Sequence, residues 1–278
     1  MANITAADVN KLRQMTGAGM MDCKKALQEN DGDFEKATDY LRKKGQKLAT
    51  KRADKDANEG IVLARANDDG SYAAIFMLNC ETDFVAKNQE FVDFTNTLMA
   101  KAIEKQPEDI GQFKALDLNG RSVEENITDM VGKTGEKMEL AHFESIRAES
   151  VYAYNHPGNR LATIVGFNKK GLEKLDQAGH EVAMQIAAMA PVAVDQKGVS
   201  TDVIDREMEI GREQARLEGK AEEMIERIAQ GKLSKFFREN TLLSQEFVRD
   251  NKISVGDYLK SVDKDLTVTG FYRFMLGA

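Results

Sequence analysis

The 278-residue sequence predicts an α+β protein. Three observations carry that reading. Three short helical segments open the chain with apolar residues at bundle spacing, two strand-then-helix units follow at an offset of about 90 residues, and a charged helical hairpin interrupts the second unit.

The elements follow in order. Thr5 stands before Ala6 to Met15 as an N-cap, Gly17 and Gly19 punctuate, and Met20 to Glu29 read as a second helix closed by Asn30-Asp31-Gly32-Asp33. A third helix is expected from about Phe34 to Lys44. Val9, Leu12, Leu27, Phe34, Ala37 and Leu41 give this module of about 45 residues a small common core, near the lower size limit for independent folding. Met20 and Met21 are adjacent, so only one of them can face that core squarely, and the other is a candidate exposed contact unless both are half-buried. The basic stretch from Arg42 to Lys55 has no interleaved aromatics and reads as a solvated helix end and linker.

Beyond it, Gly60 to Ala66, Tyr72 to Leu78 and Lys137 to Ile146 have strand content, with helices expected around Asp83 to Ile103 and Val123 to Val131. Val151 to Tyr154, the turn His156 to Arg160, the strand Leu161 to Phe167 and a helix through His180 to Ala190 repeat the pattern. Laying Tyr72 to Phe76 over Leu161 to Val165 brings the following helices into similar places, which fits duplicated subdomains. Asp202 to Leu217 carries Val203, Ile210 and Leu217 at intervals of seven, and Ala221 to Ala229 returns with Met224, Ile225 and Ile228. That is a hairpin with a narrow apolar seam. Val255, Tyr258 and Leu259 on a helix and a strand from Val268 to Met275 close the body.

Composition narrows the function classes. With 42% hydrophobic and 31% charged residues the chain is of an ordinary globular type, and a net charge of −7 argues against a dedicated nucleic-acid binder. No apolar run approaches the length of a membrane span, and Met1-Ala2-Asn3-Ile4-Thr5 resembles no signal sequence, so a cytoplasmic location is expected. Cys23 and Cys80 have neither disulfide-framework nor zinc-site spacing.

Several catalytic patterns fail on inspection. Gly132-Lys133-Thr134 imitates a P-loop end, but the glycine required five positions earlier is Ile127. Gly17-Ala18-Gly19-Met20 lacks a third glycine and a preceding strand, and His180-Glu181-Val182-Ala183-Met184 ends in methionine where a zincin helix needs histidine. No metal or cofactor is expected. A thiolate site made by Cys80 and His156 is the one enzymatic reading left, and it has no orienting third group.

The most informative segment is Asn79-Cys80-Glu81-Thr82-Asp83-Phe84-Val85-Ala86-Lys87. Thr82 or Asp83 is a plausible N-cap, which places Phe84 in a helix's first turn. There it is either a staple folded back under the sheet or, beside Asp83, a projecting probe with one charged and one apolar element.

That segment, together with Leu12-Arg13-Gln14-Met15-Thr16-Gly17-Ala18-Gly19-Met20-Met21-Asp22-Cys23-Lys24-Lys25-Ala26-Leu27 and Tyr154-Asn155-His156-Pro157-Gly158-Asn159-Arg160, resembles the translation elongation factor Ts family. The match runs in order over nearly the whole chain, with a departure at Ala162, where many members carry glycine, and without the optional C-terminal helical module of longer members. The resemblance implies an N-terminal UBA-like three-helix domain (1–45), a linker (46–59), a first core subdomain (60–148), a second core subdomain (149–200 and 233–278) and an inserted antiparallel coiled-coil hairpin (201–232). It also implies a role in protein biosynthesis, as a guanine nucleotide exchange factor that binds elongation factor Tu in its GDP-bound and nucleotide-free forms. No covalent chemistry, cofactor, membrane or direct nucleic-acid contact is expected. Carried over residue by residue, the partner-binding set is Arg13, Met20, Met21, Thr82, Asp83, Phe84, Val85 and His156. Asp83 and Phe84 would enter the partner's GTPase domain near its Mg²⁺ site, Arg13 and the methionines would meet a partner helix, and His156 would meet another partner domain. A non-catalytic adaptor built on the three-helix module is the alternative reading, with the Cys80 enzyme behind it.

Overall fold

The structure is a computed structural model and describes residues 4–277. It is α+β. Three helices come first, α1 (Ala6–Thr16), α2 (Met20–Glu29) and α3 (Phe34–Arg52). Thr5 opens α1 through a capping box with Asp8, and Asp33 opens α3 by accepting the Glu35 and Lys36 N–H groups at 3.0 Å. Val9, Leu12, Ala18, Cys23, Ala26, Leu27 and Ala37 form the core between them.

The chain continues with β1 (Glu59–Ala66), β2 (Tyr72–Cys80), α4 (Asp83–Ala86), α5 (Gln89–Lys105), α6 (Ile110–Ala115), β3 (Asp117–Leu118), β4 (Arg121–Ser122), α7 (Val123–Thr134) and β5 (Met138–Arg147). Then come β6 (Ser150–Asn155), β7 (Leu161–Phe167), α8 (Leu175–Met189), α9 (Thr201–Leu217), α10 (Glu222–Asn240), β8 (Glu246–Phe247), β9 (Asp250–Ser254), α11 (Val255–Val262) and β10 (Val268–Met275). Two three-stranded sheets are ordered β1-β2-β5 and β10-β7-β6. The chain divides into two compact units, one of Met1–Leu63, Phe76–Ser145 and Met275–Ala278, the other of Ala64–Ile75 and Ile146–Phe274.

In the first unit, Phe113 of α6 lies between Phe76 and Phe143, with ring centroids 5.4 and 4.8 Å away. Phe91, Leu98, Met99 and Ala102 turn the apolar face of α5 inward, and Val123, Ile127, Met130 and Val131 do so for α7. α3 runs to Arg52 instead of ending near Lys44, so the first part of the basic stretch is helix, with Arg42, Lys43, Lys44, Lys47 and Lys51 exposed as expected and Gly45 buried. The physical reason is a close helix crossing. Gly45 is buried against Gly132 of α7, and a Cβ added at Gly132 would lie 3.1 Å from the Gly45 Cα. Two glycines at one crossing let the backbones meet.

In the second unit β6 pairs antiparallel with β7 from Ser150↔Phe167 to Asn155↔Ala162, and α8 covers them. Gly179 of α8 faces the Tyr152 ring, where a Cβ would come within 2.2 Å of a ring carbon, so a side chain there would push the helix off the sheet. Val165, Phe167, Leu175, Val182, Ile186, Val255, Leu259 and Val268 fill the core. One buried charge sits beside it: Glu181 of α8 accepts hydrogen bonds from Tyr258, Arg249 and Gln177, which satisfies a carboxylate that would otherwise be costly to bury.

α9 and α10 pair as the expected hairpin, but the seam differs. Gly211 and Ala215 of α9 and Ile225 and Ala229 of α10 are the buried positions, whereas Ile210 is exposed and Leu217 is 88% exposed. A Cβ on Gly211 would sit 3.1 Å from the Ala229 Cα, so the backbones meet closely at this point; Ile225 is buried as the sequence suggests, whereas the larger residues of the α9 heptad do not form the seam. Arg212 holds Glu226 and Glu209 along the flank of the pair.

Candidate functional site

The segment after β2 is held at its base by carboxylates. Glu81 accepts two hydrogen bonds from Arg52 Nη1, at 2.9 and 2.8 Å, and one from the Lys137 backbone N–H at 2.5 Å. Burial alone would raise the Glu81 pKa, but these donors outweigh it and hold the carboxyl below the usual glutamate range. Glu136 receives both the Thr82 N–H (3.0 Å) and the Thr82 hydroxyl (2.7 Å). The backbone entering the next turn is therefore fixed from two sides.

Thr82, not Asp83, is the N-cap, its oxygen accepting from the Val85 N–H at 3.4 Å. Asp83 instead pairs with Lys87 one turn on, at 2.7 Å, and this hydrogen bond holds its carboxyl below the ordinary aspartate value. α4 is a single turn. The continuous helix expected from Asp83 is broken at Lys87–Asn88, because Asn88 caps a new helix by accepting the Glu90 N–H at 2.8 Å. Phe84 is thus carried on a short, separately capped turn with its side chain 83% exposed, while Val85 beside it is half-buried. The staple does not form, and a large aromatic is left in water, where it gains nothing for the isolated fold.

A second exposed apolar group sits on the three-helix module. Met15, Met20 and Met21 are 60%, 51% and 74% exposed, and Arg13 in the last turn of α1 is exposed as well. Both adjacent methionines face solvent, not one of the two. Cys23, one turn further along α2, takes the core position that either might have filled. Gly17 ends α1 with φ 69°, a left-handed conformation that suits glycine. It also lies under Lys133 of α7, whose Cε would come within 2.7 Å of an added Cβ.

His156 belongs to the second unit, at the exposed β6–β7 turn, where Asn159 and Gly158 adopt φ of 53° and 90°. Its Nδ1 and the Tyr154 hydroxyl are 2.9 Å apart, and its backbone N–H donates to the Leu161 carbonyl at 2.9 Å. Asn155 anchors the turn by bonding both the N–H and the carbonyl of Ala64, each at 2.8 Å.

Cys80 is fully buried and donates to the Thr82 carbonyl at 3.2 Å. Burial, then the charges of Glu136 and Glu59, push its thiol up to about 12. A thiol buried in this way is a core group, which speaks against the nucleophile that the thiolate reading needs. No helix among the described residues is long and apolar enough to cross a membrane.

Met15, Arg52, Glu136 and Asn155 were not singled out by the sequence. Met15 had a signal in hand, standing five residues before Met20. The other three act through contacts 29 to 91 residues away in sequence, which no local pattern reports.

Comparison with known proteins gives these features a frame. The family model described as elongation factor TS matches residues 81–278. The chain is 50% identical over 275 residues to elongation factor Ts of Amoebophilus asiaticus, covering 99% of each chain. It is 51% identical over 276 residues to that of Porphyromonas gingivalis, again covering 99% of each. The elongation factor Ts of Christiangramia forsetii is 48% identical over 277 residues, covering both chains fully. Identity at this level across the whole length settles kinship, and the chain belongs to the elongation factor Ts family.

Proposed function

We propose that the chain is a guanine nucleotide exchange factor for elongation factor Tu, promoting GDP release during translation elongation in the cytoplasm without covalent chemistry of its own. The observation that supports this reading best is Phe84, an 83% exposed aromatic on a turn whose base is fixed by Glu81 and Glu136. An exposed aromatic on a rigid base is a preorganised wedge, since little ordering cost remains to be met on binding. In this reading Phe84 and Asp83, flanked by Thr82 and Val85, disturb the partner's Mg²⁺ and phosphate region. Arg13, Met20 and Met21 anchor on a partner helix, and His156 meets another partner domain. The three-helix module is the UBA-like domain, extended by α3 to Arg52, the sheet-and-helix units are the two related core subdomains, and α9–α10 is the inserted coiled coil, extended by α10 to Asn240. The chain itself contacts no nucleic acid and takes up no nucleotide.

Exchange requires binding the nucleotide-free partner more tightly than the GDP-bound one, and by linkage GDP weakens the exchange factor equally. Full burial of one phenylalanine supplies roughly 1.5–3 kcal/mol, whereas inverting a 1:99 population needs about 5.5 kcal/mol. The wedge must therefore act together with the anchors. Stopped-flow release of a fluorescent GDP analogue from elongation factor Tu tests its share. Phe84→Ala should fold normally and lose a factor of about 10 to 150 in release rate, and release at the wild-type rate would refute the wedge.

A further inference from the structure

The three-helix module is fastened to the rest of the first unit at three places, two of which reach residues flanking Phe84. At the crossing of α3 and α7, Gly45 meets Gly132 backbone to backbone. At the end of α3, Arg52 grips Glu81, the residue before the Thr82 cap, and Lys137 Nζ donates to the Ala53 carbonyl at 2.9 Å. Next to the methionine face, the stem of Lys133 lies over Gly17, and its Nζ pairs with Glu90 at 3.0 Å. Glu90 stands in the first turn of α5, just beyond the turn that carries Phe84. Each ion pair thus has one end in or against the module and the other in the few residues flanking Phe84.

We propose that Arg52 and Lys133 are positioning residues, which hold the face of Met15, Met20 and Met21 at one set spacing from Phe84 so that both patches meet a single partner surface together. This rests on the exchange-factor reading for its consequence, though not for its geometry. Two binding patches on a rigid frame act at a high effective concentration, and the gain vanishes if the frame loosens. Neither residue touches the partner in this account. Their effect passes entirely through the distance between the two patches.

The test uses the full chain in two measurements. In the first, spin labels on Gln28→Cys in α2 and Thr97→Cys in α5 report the spacing by pulsed electron resonance, the native Cys23 and Cys80 being buried. A single narrow distance is expected, broadening in Arg52→Ala/Lys133→Ala. An equally narrow distribution in that variant overturns the proposal whether or not the chain acts on elongation factor Tu. In the second, the half-saturating concentration for GDP release should rise about tenfold in Arg52→Ala/Lys133→Ala, but less than about twofold when the same pair is introduced into Met15→Ala/Met20→Ala/Met21→Ala, where no methionine face remains to be positioned. Equal losses in both backgrounds would assign the two residues a purely structural role and overturn the proposal, as would no loss in either. A wild-type chain without effect on GDP release would refute the exchange reading, while the distance distributions would still decide the geometry.

Discussion

Phe84 shows at the scale of one residue how a side chain can be set apart from its fold. The three residues before it are engaged: Thr82 with Glu136, Asp83 with Lys87, Glu81 with Arg52 and Lys137. The aromatic alone is left over. Titration of Glu81 gives a check on this base. Its folded carboxyl is held below its ordinary value of about 4.3, so the unfolded chain binds more protons through the intervening window. Stability from this group is therefore present above the ordinary value and lost as pH falls through the folded one. Urea midpoints measured between about pH 2 and 6 should decline less steeply in Glu81→Gln than in wild type, and parallel acid limbs would show that Glu81 does not hold the base. The presence of a candidate site was legible at this scale in Thr82-Asp83-Phe84-Val85, but its exposure was not. A phenylalanine beside a strand end is ordinarily buried, and what keeps this one out is a second cap at Asn88 together with a carboxylate, Glu136, arriving from 54 residues away.

At the scale of elements, the hairpin α9–α10 separates what periodicity reveals from what packing decides. The sevenfold spacing of Val203, Ile210 and Leu217 correctly indicates a long amphipathic helix. It misplaces the contact face, because Gly211 and Ala215 admit the partner helix more closely than larger side chains would. Small residues register weakly in any hydrophobic pattern, yet at the contact they set how closely two helix axes approach. The same blindness hid the crossing at Gly45 and Gly132, and with it the extension of α3 to Arg52. Gly211→Leu should force the two helices apart at a cost of about 1–3 kcal/mol. Hydrogen exchange should quicken along α9 and α10 while amides in α5 and α8 keep their protection; unchanged exchange in the hairpin would put the seam elsewhere.

For the whole molecule, the α+β class and the order of its elements were readable from strand-like runs and caps, since those signals are local. Short pieces such as β3–β4, β8–β9 and α6 were not, having too few residues to show a period. The docking of the N-terminal helices was also hidden, and it has a measurable consequence. Deleting residues 1–54 would bare Gly132 on α7 and strip Glu81 of Arg52, so the remaining core should melt at a lower temperature than the full chain; an unchanged midpoint would mean that the module is merely tethered. The central claim concerns what the assembled surface does to a partner. Its most direct test is the rate at which elongation factor Tu loses GDP as the full chain is titrated in. A rate that climbs to saturation, and that excess GDP reverses by displacing the chain, is the predicted result, while a GDP off-rate indifferent to the chain at every concentration would contradict the account.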